Sequence, residues 1–299
     1  MIKNIFLVLL LLLTLIFLTS CYEGDASPAA SQYENIGEQT NMDEINTGNQ
    51  NEANEAPATQ DLPNLDGTLL ERVIDNPVEF LQLSPLTPGE ELVVFHTTMG
   101  DITVRMFPDD APRAVENFLT HARNGFYNGV IFHRVIPEFM AQTGDPTGTG
   151  RGGESIWGQP FGVERSFNLR HFRGALAMAH AGGAMNSQFY FVQSTSIDPR
   201  SRAQFEALRA ELDTPIGSFS DGRIIYGRDI HSVEEFDEFL QNGGTPFLDW
   251  MWNDNPHTVF GHVVEGMDVV DAIVAVDRDG NDRPNEDIII ERISFVIYG

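Results

Sequence analysis

Residues 132–145 read Phe132-His133-Arg134-Val135-Ile136-Pro137-Glu138-Phe139-Met140-Ala141-Gln142-Thr143-Gly144-Asp145, and this stretch constrains the chain more than any other. It sets an arginine, an aromatic, a thioether and an amide within nine residues of one another, in a run that alternates as a β-strand does. A run of this length and composition is rarely matched by chance. It therefore narrows the chemistry as well as the fold.

Two further blocks follow it. Gly174-Ala175-Leu176-Ala177-Met178-Ala179-His180-Ala181-Gly182 is a small-residue strand that leads, after a short Gly/Asn loop, into Asn186-Ser187-Gln188-Phe189-Tyr190-Phe191. Phe247-Leu248-Asp249 then precedes His257-Thr258-Val259-Phe260-Gly261. Taken together and in this order, the three blocks resemble the signature of the cyclophilins, which are peptidyl-prolyl cis-trans isomerases. The resemblance covers residues 90–299.

Periodicity alone reads as mostly β. Residues 92–98 are strand-like, 99–101 are a turn, and 102–107 return as the second arm of a hairpin. A helix follows, with Asp110 as its cap, Pro112 in its first turn and an apolar stripe of Val115, Phe118, Leu119 and Ala122 before Gly125. Residues 258–264 form a strand and 288–297 a closing strand. Between them, 267–274 form a short helix with Val270, Ile273 and Val274 inward. Many short strands with two helices suit a closed antiparallel barrel. The resemblance makes this an eight-stranded barrel capped by two helices.

One segment departs from the family. A compact cyclophilin has a short connection where this chain has residues 194–246. Asp198-Pro199 opens a helical pattern with Phe205, Leu208 and Leu212. Ser232 and Glu235 have the spacing of a capping box, with Phe236, Phe239 and Leu240 behind them and Gly243 at the end. Two inserted amphipathic helices are expected. They leave and rejoin the domain beside the candidate pocket, as a wall or lid.

The N-terminus carries an address. Lys3 precedes an apolar run over 5–18, too short for a comfortable membrane span, and then Leu18-Thr19-Ser20-Cys21. Residues 1–20 read as an export signal. Leu-Thr-Ser-Cys resembles the bacterial lipobox, which implies lipidation of Cys21, a membrane anchor, and a domain facing outside the cytoplasm. Cys21 is the only cysteine, so no disulfide can form within one chain. Residues 21–61 are rich in Asn, Gln, Glu, Ala and Ser and cannot bury enough apolar surface to offset ordering entropy, so they read as a disordered tether. Residues 62–90 form an extension in which Leu69, Leu70, Val73, Ile74, Phe80, Leu81 and Leu83 could make a short docked helix. The main domain spans 91–299. Formal net charge is −26 and Lys3 is the only lysine, which excludes nucleic acid and anionic lipid headgroups as natural partners.

The chemistry implied is conformational. Rotation about a peptide bond breaks amide resonance, with a barrier of about 18–20 kcal/mol. It needs no nucleophile, metal or cofactor. It needs an apolar hollow for the proline ring and a fixed donor for the prolyl nitrogen, whose lone pair returns as the amide twists. The resemblance gives that donor role to Arg134. It places Phe139, Met140, Tyr190, Phe247 and Leu248 around the proline. It assigns Gln142 and Gln188 to positioning substrate carbonyls and the arginine, Ala179, His180 and Ala181 to a backbone rim for an extended peptide, and His257 to the pocket side.

Three positions differ from the commonest family pattern: Phe247 for tryptophan, Tyr190 for phenylalanine and His180 for asparagine. Tyr190 adds a hydroxyl that needs a partner. His180 brings a rim contact that can titrate.

Two patterns are discounted. Gly148-Thr149-Gly150-Arg151-Gly152-Gly153 matches G-x-G-x-x-G but no apolar helix follows it. Asp277, Asp279 and Asn281 have calcium-loop spacing, but Asp282 stands where the turn glycine belongs and Ile288 where the bidentate acid belongs. The eight histidines show no metal-ligand spacing. The expectation is a lipid-anchored isomerase acting on unfolded or extended proline-containing proteins, without metal or cofactor. The alternative is a scaffold or chaperone lipoprotein that grips proline segments with little turnover.

Overall fold

The protein is described by a computed structural model over residues 79–218, 224–229, 231–249 and 255–299. The signal sequence, Cys21, the tether and the apolar positions from Leu69 to Ile74 lie outside the described residues.

β1 (Glu91–Thr97) and β2 (Gly100–Met106) form the expected hairpin, paired from Leu92–Arg105 to Thr97–Gly100. α1 (Pro112–Arg123) follows. Then come β3 (Val130–Ile131), β4 (Arg134–Ile136), β5 (Met140–Thr143), β6 (Ala175–Ala181) and β7 (Ala184–Val192). After the insertion, β10 (Val259–Glu265), α4 (Met267–Val274) and β11 (Ile289–Ile297) complete the domain.

Nine described strands form one antiparallel sheet, in the order β3-β11-β1-β2-β10-β6-β7-β5-β4. Its two edges, β3 and β4, are separated in the chain only by Phe132 and His133. Each residue spans at most about 3.6 Å, so the sheet has to curl until its edges meet. Thr143 Oγ1 donates to the Ile131 carbonyl across that seam (2.9 Å). With β3 and β4 counted as one interrupted strand, this is the eight-stranded arrangement expected.

Strand alternation then divides the side chains. Inward ones build an aromatic core in which Phe118 of α1 packs on Phe95, Phe189 and Phe260 with ring centroids 5.3–5.6 Å apart. Outward ones from β4, β5, β6 and β7 build a second apolar cluster that includes Ile136, Met140, Ala177, Tyr190 and Val192. α4 buries Val270, Ile273 and Val274, as its spacing predicts.

The cap of α1 is a correction. Its N-cap residue is Ala111, with no side-chain cap of its own. The carboxylate of Glu164, fifty residues away in the chain, accepts from Arg113 N (3.0 Å) and Ala114 N (2.8 Å). Asp110 instead accepts from Ser166 Oγ and Asn168 Nδ2. An acid at the first-turn amides satisfies orphan donors and the helix dipole wherever it comes from.

The insertion holds α2 (Pro199–Ala210) and α3 (Val233–Asn242), as expected, and between them a hairpin that the periodicity did not reveal, β8 (Pro215–Ser218) with β9 (Ile224–Tyr226). Phe205 packs on Phe236 and Phe239, with centroids 5.3 and 5.4 Å away. Phe239 reaches Phe172 of the main domain at 4.7 Å, and Phe172 meets Phe80 of the extension at 5.5 Å. The helices therefore pack on the domain and the extension as well as on each other.

Only half of the capping box forms. Ser232 Oγ accepts from Glu235 N (3.1 Å). The Glu235 carboxylate turns into the domain instead, meeting Arg170 Nε at 2.6 Å and His231 Nδ1 at 2.9 Å. The insertion closes at a narrow neck: Gly243 and Gly244 have φ of +88° and +133°, and a Cβ would collide with the Ser194 carbonyl at the first and the His171 carbonyl at the second. Among the described residues no helix is long and apolar enough to cross a membrane.

Candidate active site

Arg134 pairs with Gln142 across β4 and β5, Gln142 with Tyr190 across β5 and β7, and Tyr190 with Ala177 across β7 and β6. Residues directly opposite in antiparallel strands share a face. Arg134, Gln142 and Tyr190 are thus one row on the outward face, spaced by the strand separation of about 4.8 Å. Two residues along each strand, the same face carries Ile136, Met140 and Val192.

The turn between β4 and β5 delivers Phe139 beside that row. Glu138 is held at φ +56°. Its N–H donates to Gln193 Oε1 (2.9 Å), and its carboxylate accepts from Thr195 N (3.0 Å) and Thr195 Oγ1 (2.8 Å). The Phe139 carbonyl accepts from Gln193 N (2.9 Å). A bulky residue in the left-handed region persists only where neighbours hold it. Here Gln193 and Thr195, at the point where the insertion leaves the domain, do so. The residues where it rejoins supply the opposite wall, with Phe247 and Leu248 in a 3-10 turn over Pro246–Leu248. The Phe247 ring lies 5.8 Å from that of Phe139, and 39% of Phe247 is exposed at the lip. Phe139, Met140, Tyr190 and Leu248 are buried in the same cluster.

The Tyr190 hydroxyl has its partner. His171 N (3.0 Å) and His171 Nδ1 (2.6 Å) both meet Asp249 Oδ1, so Nδ1 carries the proton and Nε2 accepts from Tyr190 Oη at 3.1 Å. Burial and the Asp249 charge push the phenol pKa up, and it stays protonated. Floor and wall are joined through one buried imidazole.

Ala179, His180 and Ala181 line the end of β6, where the register with β7 slips between Met178 and His180. The bulge carries Gln188 out of the ladder and turns it toward the Gly-rich loop. Gln142 Nε2 donates to Gln188 Oε1 (2.9 Å), and Gln188 Nε2 donates to the carbonyls of Gly150 (3.0 Å) and Gly152 (2.7 Å). The discounted G-x-G-x-x-G run is a loop closed around its own acid. Burial would raise the pKa of Asp145, but the N–H of Gly152, the Thr147 hydroxyl and the N–H of Thr147 bring it down to about 2.

The imidazole of His180 faces the wall. Nε2 donates to the Pro256 carbonyl (2.9 Å), Nδ1 accepts from Gly183 N (3.0 Å), and the ring stacks on His257 with centroids 4.1 Å apart. Burial lowers its pKa, and both ring nitrogens are held by protein partners. His257 Nδ1 donates to the Met178 carbonyl (3.0 Å), and burial followed by the neighbouring histidines His180 and His171 depresses its pKa to about 3. Its ring stands 5.5 Å from that of Tyr190, at the pocket side.

The structure thus brings the candidate catalytic and substrate-binding residues into one neighbourhood of β4–β7, Phe247–Leu248 and His257, while Cys21 lies outside the described residues. Sequence reading missed four supporting residues: His171 and Asp249 beneath the floor, Glu138 at the turn, and Asp282 beside Arg134. Glu138 and Asp249 lay inside quoted motifs, Asp282 lay in the discounted calcium-loop pattern, and His171 lay in none.

The model for the family described as cyclophilin type peptidyl-prolyl cis-trans isomerase/CLD matches residues 92–295, well over half of the chain. This chain belongs to that family. The cyclophilin domain is similar to a Staphylococcus saprophyticus protein named as a peptidyl-prolyl cis-trans isomerase, 42% identical over 217 residues, with 72% of this chain and 97% of that protein covered. It is similar to a like-named Staphylococcus aureus protein at 41% identity over 206 residues, covering 69% of this chain and 91% of that one. A Streptococcus pyogenes protein named as a bifunctional phosphatase/peptidyl-prolyl cis-trans isomerase is 42% identical over 224 residues, and the match spans 74% of this chain but only 42% of that protein. Among solved structures, a Cryptosporidium parvum cyclophilin type isomerase crystallised in the presence of the dipeptide Ala-Pro has a TM-score of 0.48 and 26% identity, covering 70% of this chain and 99% of that one. By family the domain is a peptidyl-prolyl cis-trans isomerase, an enzyme on a mainly antiparallel β fold.

Proposed function

We propose that this cyclophilin domain isomerises Xaa-Pro bonds in unfolded or extended segments of exported proteins, held at a membrane surface by a lipid on Cys21. The observation that carries the catalytic part is the register row of Arg134, Gln142 and Tyr190 beside the hollow of Phe139, Met140 and Leu248. The apolar hollow takes the proline ring. The guanidinium of Arg134 donates to the prolyl nitrogen as its lone pair returns in the twisted amide. That bond is stronger in the transition state than in the planar ground states, which is the condition for catalysis. Gln142, braced by Gln188, orients the carbonyl of the substrate, and the β6 backbone at Ala179–Ala181 meets the extended chain.

The export part rests on the apolar run over 5–18 ahead of Cys21, and durable anchoring would need more than one acyl chain, as a diacylglyceryl group supplies. A proline-isomerisation assay on a short peptide with the full-length chain tests the catalytic reading. Wild type accelerates the reaction and Arg134→Ala loses about two decades of kcat/KM. Equal rates in the two would overturn it. Mass spectrometry of the mature N-terminus tests the anchor, and an unmodified Cys21 would dispose of it.

A further inference from the structure

We propose that Asp282 is the positioning residue for Arg134, holding its guanidinium at the angle the reaction needs. The proposal rests on the reading of Arg134 as the catalytic donor.

Asp282 sits in the loop between α4 and β11, far from the three sequence blocks. It is one of two non-glycine residues with positive φ among the described residues, at +63°. Glycine adopts that conformation without cost, and asparagine and aspartate tolerate it. A glycine would relax this turn, so the side chain has to contribute something that glycine cannot. Its carboxylate is split between two cations: Oδ2 lies 3.8 Å from Arg134 Nε, and Oδ1 lies 3.3 Å from Arg278 Nε. Arg278 thereby fixes the rotation of the carboxylate, and the carboxylate faces Arg134 at Nε.

The backbone of Asp282 is held with equal care. Its carbonyl accepts from Val135 N (2.8 Å), the residue after Arg134, and its N–H donates to the Asp279 carbonyl (3.1 Å). Asp279 Oδ1 accepts from Asn281 N (2.8 Å) and Arg283 N (3.0 Å), so the acids that suggested a calcium loop shape a turn. Arg283 Nη1 donates to the Gly148 carbonyl (3.1 Å), clamping this turn to the loop whose Gly150 and Gly152 carbonyls hold Gln188, and through it Gln142. Two loops fastened to each other thus hold both ends of the row Arg134–Gln142. A long arginine side chain loses rotamer entropy when it is fixed. An ion pair made before substrate arrives removes part of that cost from the transition state.

The test compares Asp282→Asn, Asp282→Gly, Arg134→Ala and wild type as full-length chains. The readouts are kcat and KM on a short Xaa-Pro peptide, thermal midpoint, and the ¹⁵Nε–Hε resonance of Arg134. Asparagine tolerates the positive φ and glycine prefers it, so both keep the turn; asparagine loses the charge and glycine the whole side chain. Both should lower kcat about tenfold with KM within about twofold, and both should broaden or shift the Arg134 resonance at an unchanged thermal midpoint. Wild-type kcat in Asp282→Asn overturns the proposal, and so does a loss that Asp282→Gly does not share. Wild-type activity in Arg134→Ala would instead sink the underlying reading of the donor, a result separable from either of these.

Discussion

Two arginines, Arg134 and Arg170, mark two regions of the molecule built on opposite terms. Arg170 and Glu235 are fully buried, 2.6 Å apart, where the insertion meets the domain. Arg170 Nη1 also donates to the carbonyls of Phe167 and Leu169 (3.0 Å each), Gln82 takes its backbone N–H and carbonyl, and the guanidinium lies over the Phe80 ring at 5.2 Å. The Arg134 side chain is 29% exposed and its acid stands 3.8 Å away. A cation closed in on all sides can only anchor. A cation whose ion pair is long and whose side chain is partly exposed stands where a substrate can reach it. The same residue type stands closed off from solvent in one region and within its reach in the other.

The anchor should yield the largest effect. Glu235→Ala leaves the Arg170 charge buried without its acid, and breaking one half of a buried pair costs about 3–5 kcal/mol. For a domain of this size that is a fall on the order of 10 °C in thermal midpoint. Turnover of a short peptide, measured below the new midpoint, should match wild type. A variant that kept its stability would erase the distinction between the two regions.

Arg134→Ala should do the reverse. A hundredfold loss of kcat/KM is about 2.7 kcal/mol of transition-state stabilisation, whereas denaturant unfolding should shift by no more than about 0.5 kcal/mol. Comparable changes in rate and stability would show Arg134 to be a second anchor.

Acid separates the regions along another axis. Burial would raise the pKa of Glu235, but the charges of Arg170 and His231 bring it down to about 2, below the ordinary 4.5. A depressed carboxylate contributes stability that is complete above its unfolded pKa and is lost as pH falls through the folded one, so this share fades between 4.5 and about 2. Beside the site, burial holds His133 at about 4 and His257 at about 3, against an ordinary 6.5. Buried neutral histidines bind fewer protons than the unfolded chain over that interval, so stability also falls as pH drops from 6.5 toward 4 and 3. Urea midpoints against pH should show both declines in wild type, and Glu235→Gln should flatten only the lower one.

The smallest effect belongs to Tyr190→Phe. It removes the donor to His171 Nε2 and should cost about 1 kcal/mol, with peptide turnover within a factor of about three. A larger loss of turnover would give the phenol a part in catalysis as well as in bracing the floor.

Much of this was legible in the chain. The β1–β2 hairpin, the apolar stripes of α1 and α4 and both inserted helices follow from local periodicity, because residues two or four apart are neighbours in any strand or helix. The β8–β9 hairpin was not legible: Pro215–Ser218 and Ile224–Tyr226 are too short for alternation to declare itself. The candidate site was legible as residue types, since Arg134, Phe139, Met140 and Gln142 share one short run. Its bracing was not, since His171, Asp249 and Asp282 enter from other parts of the chain.

The sequence by itself determined that a strand-like run would carry an arginine and an amide on one face, a consequence of the two-residue repeat. That the run breaks after Ile136 into two paired strands was decided by the fold. Only the tertiary structure decided which acids meet which cations and helix ends. Glu164 rather than Asp110 caps α1, Glu235 leaves its own helix for Arg170, and Asp282 rather than a glycine faces Arg134. The reason is physical: a carboxylate is satisfied by whichever donor the returning chain brings within about 3–4 Å, and that proximity depends on how the sheet closes, which no local spacing records.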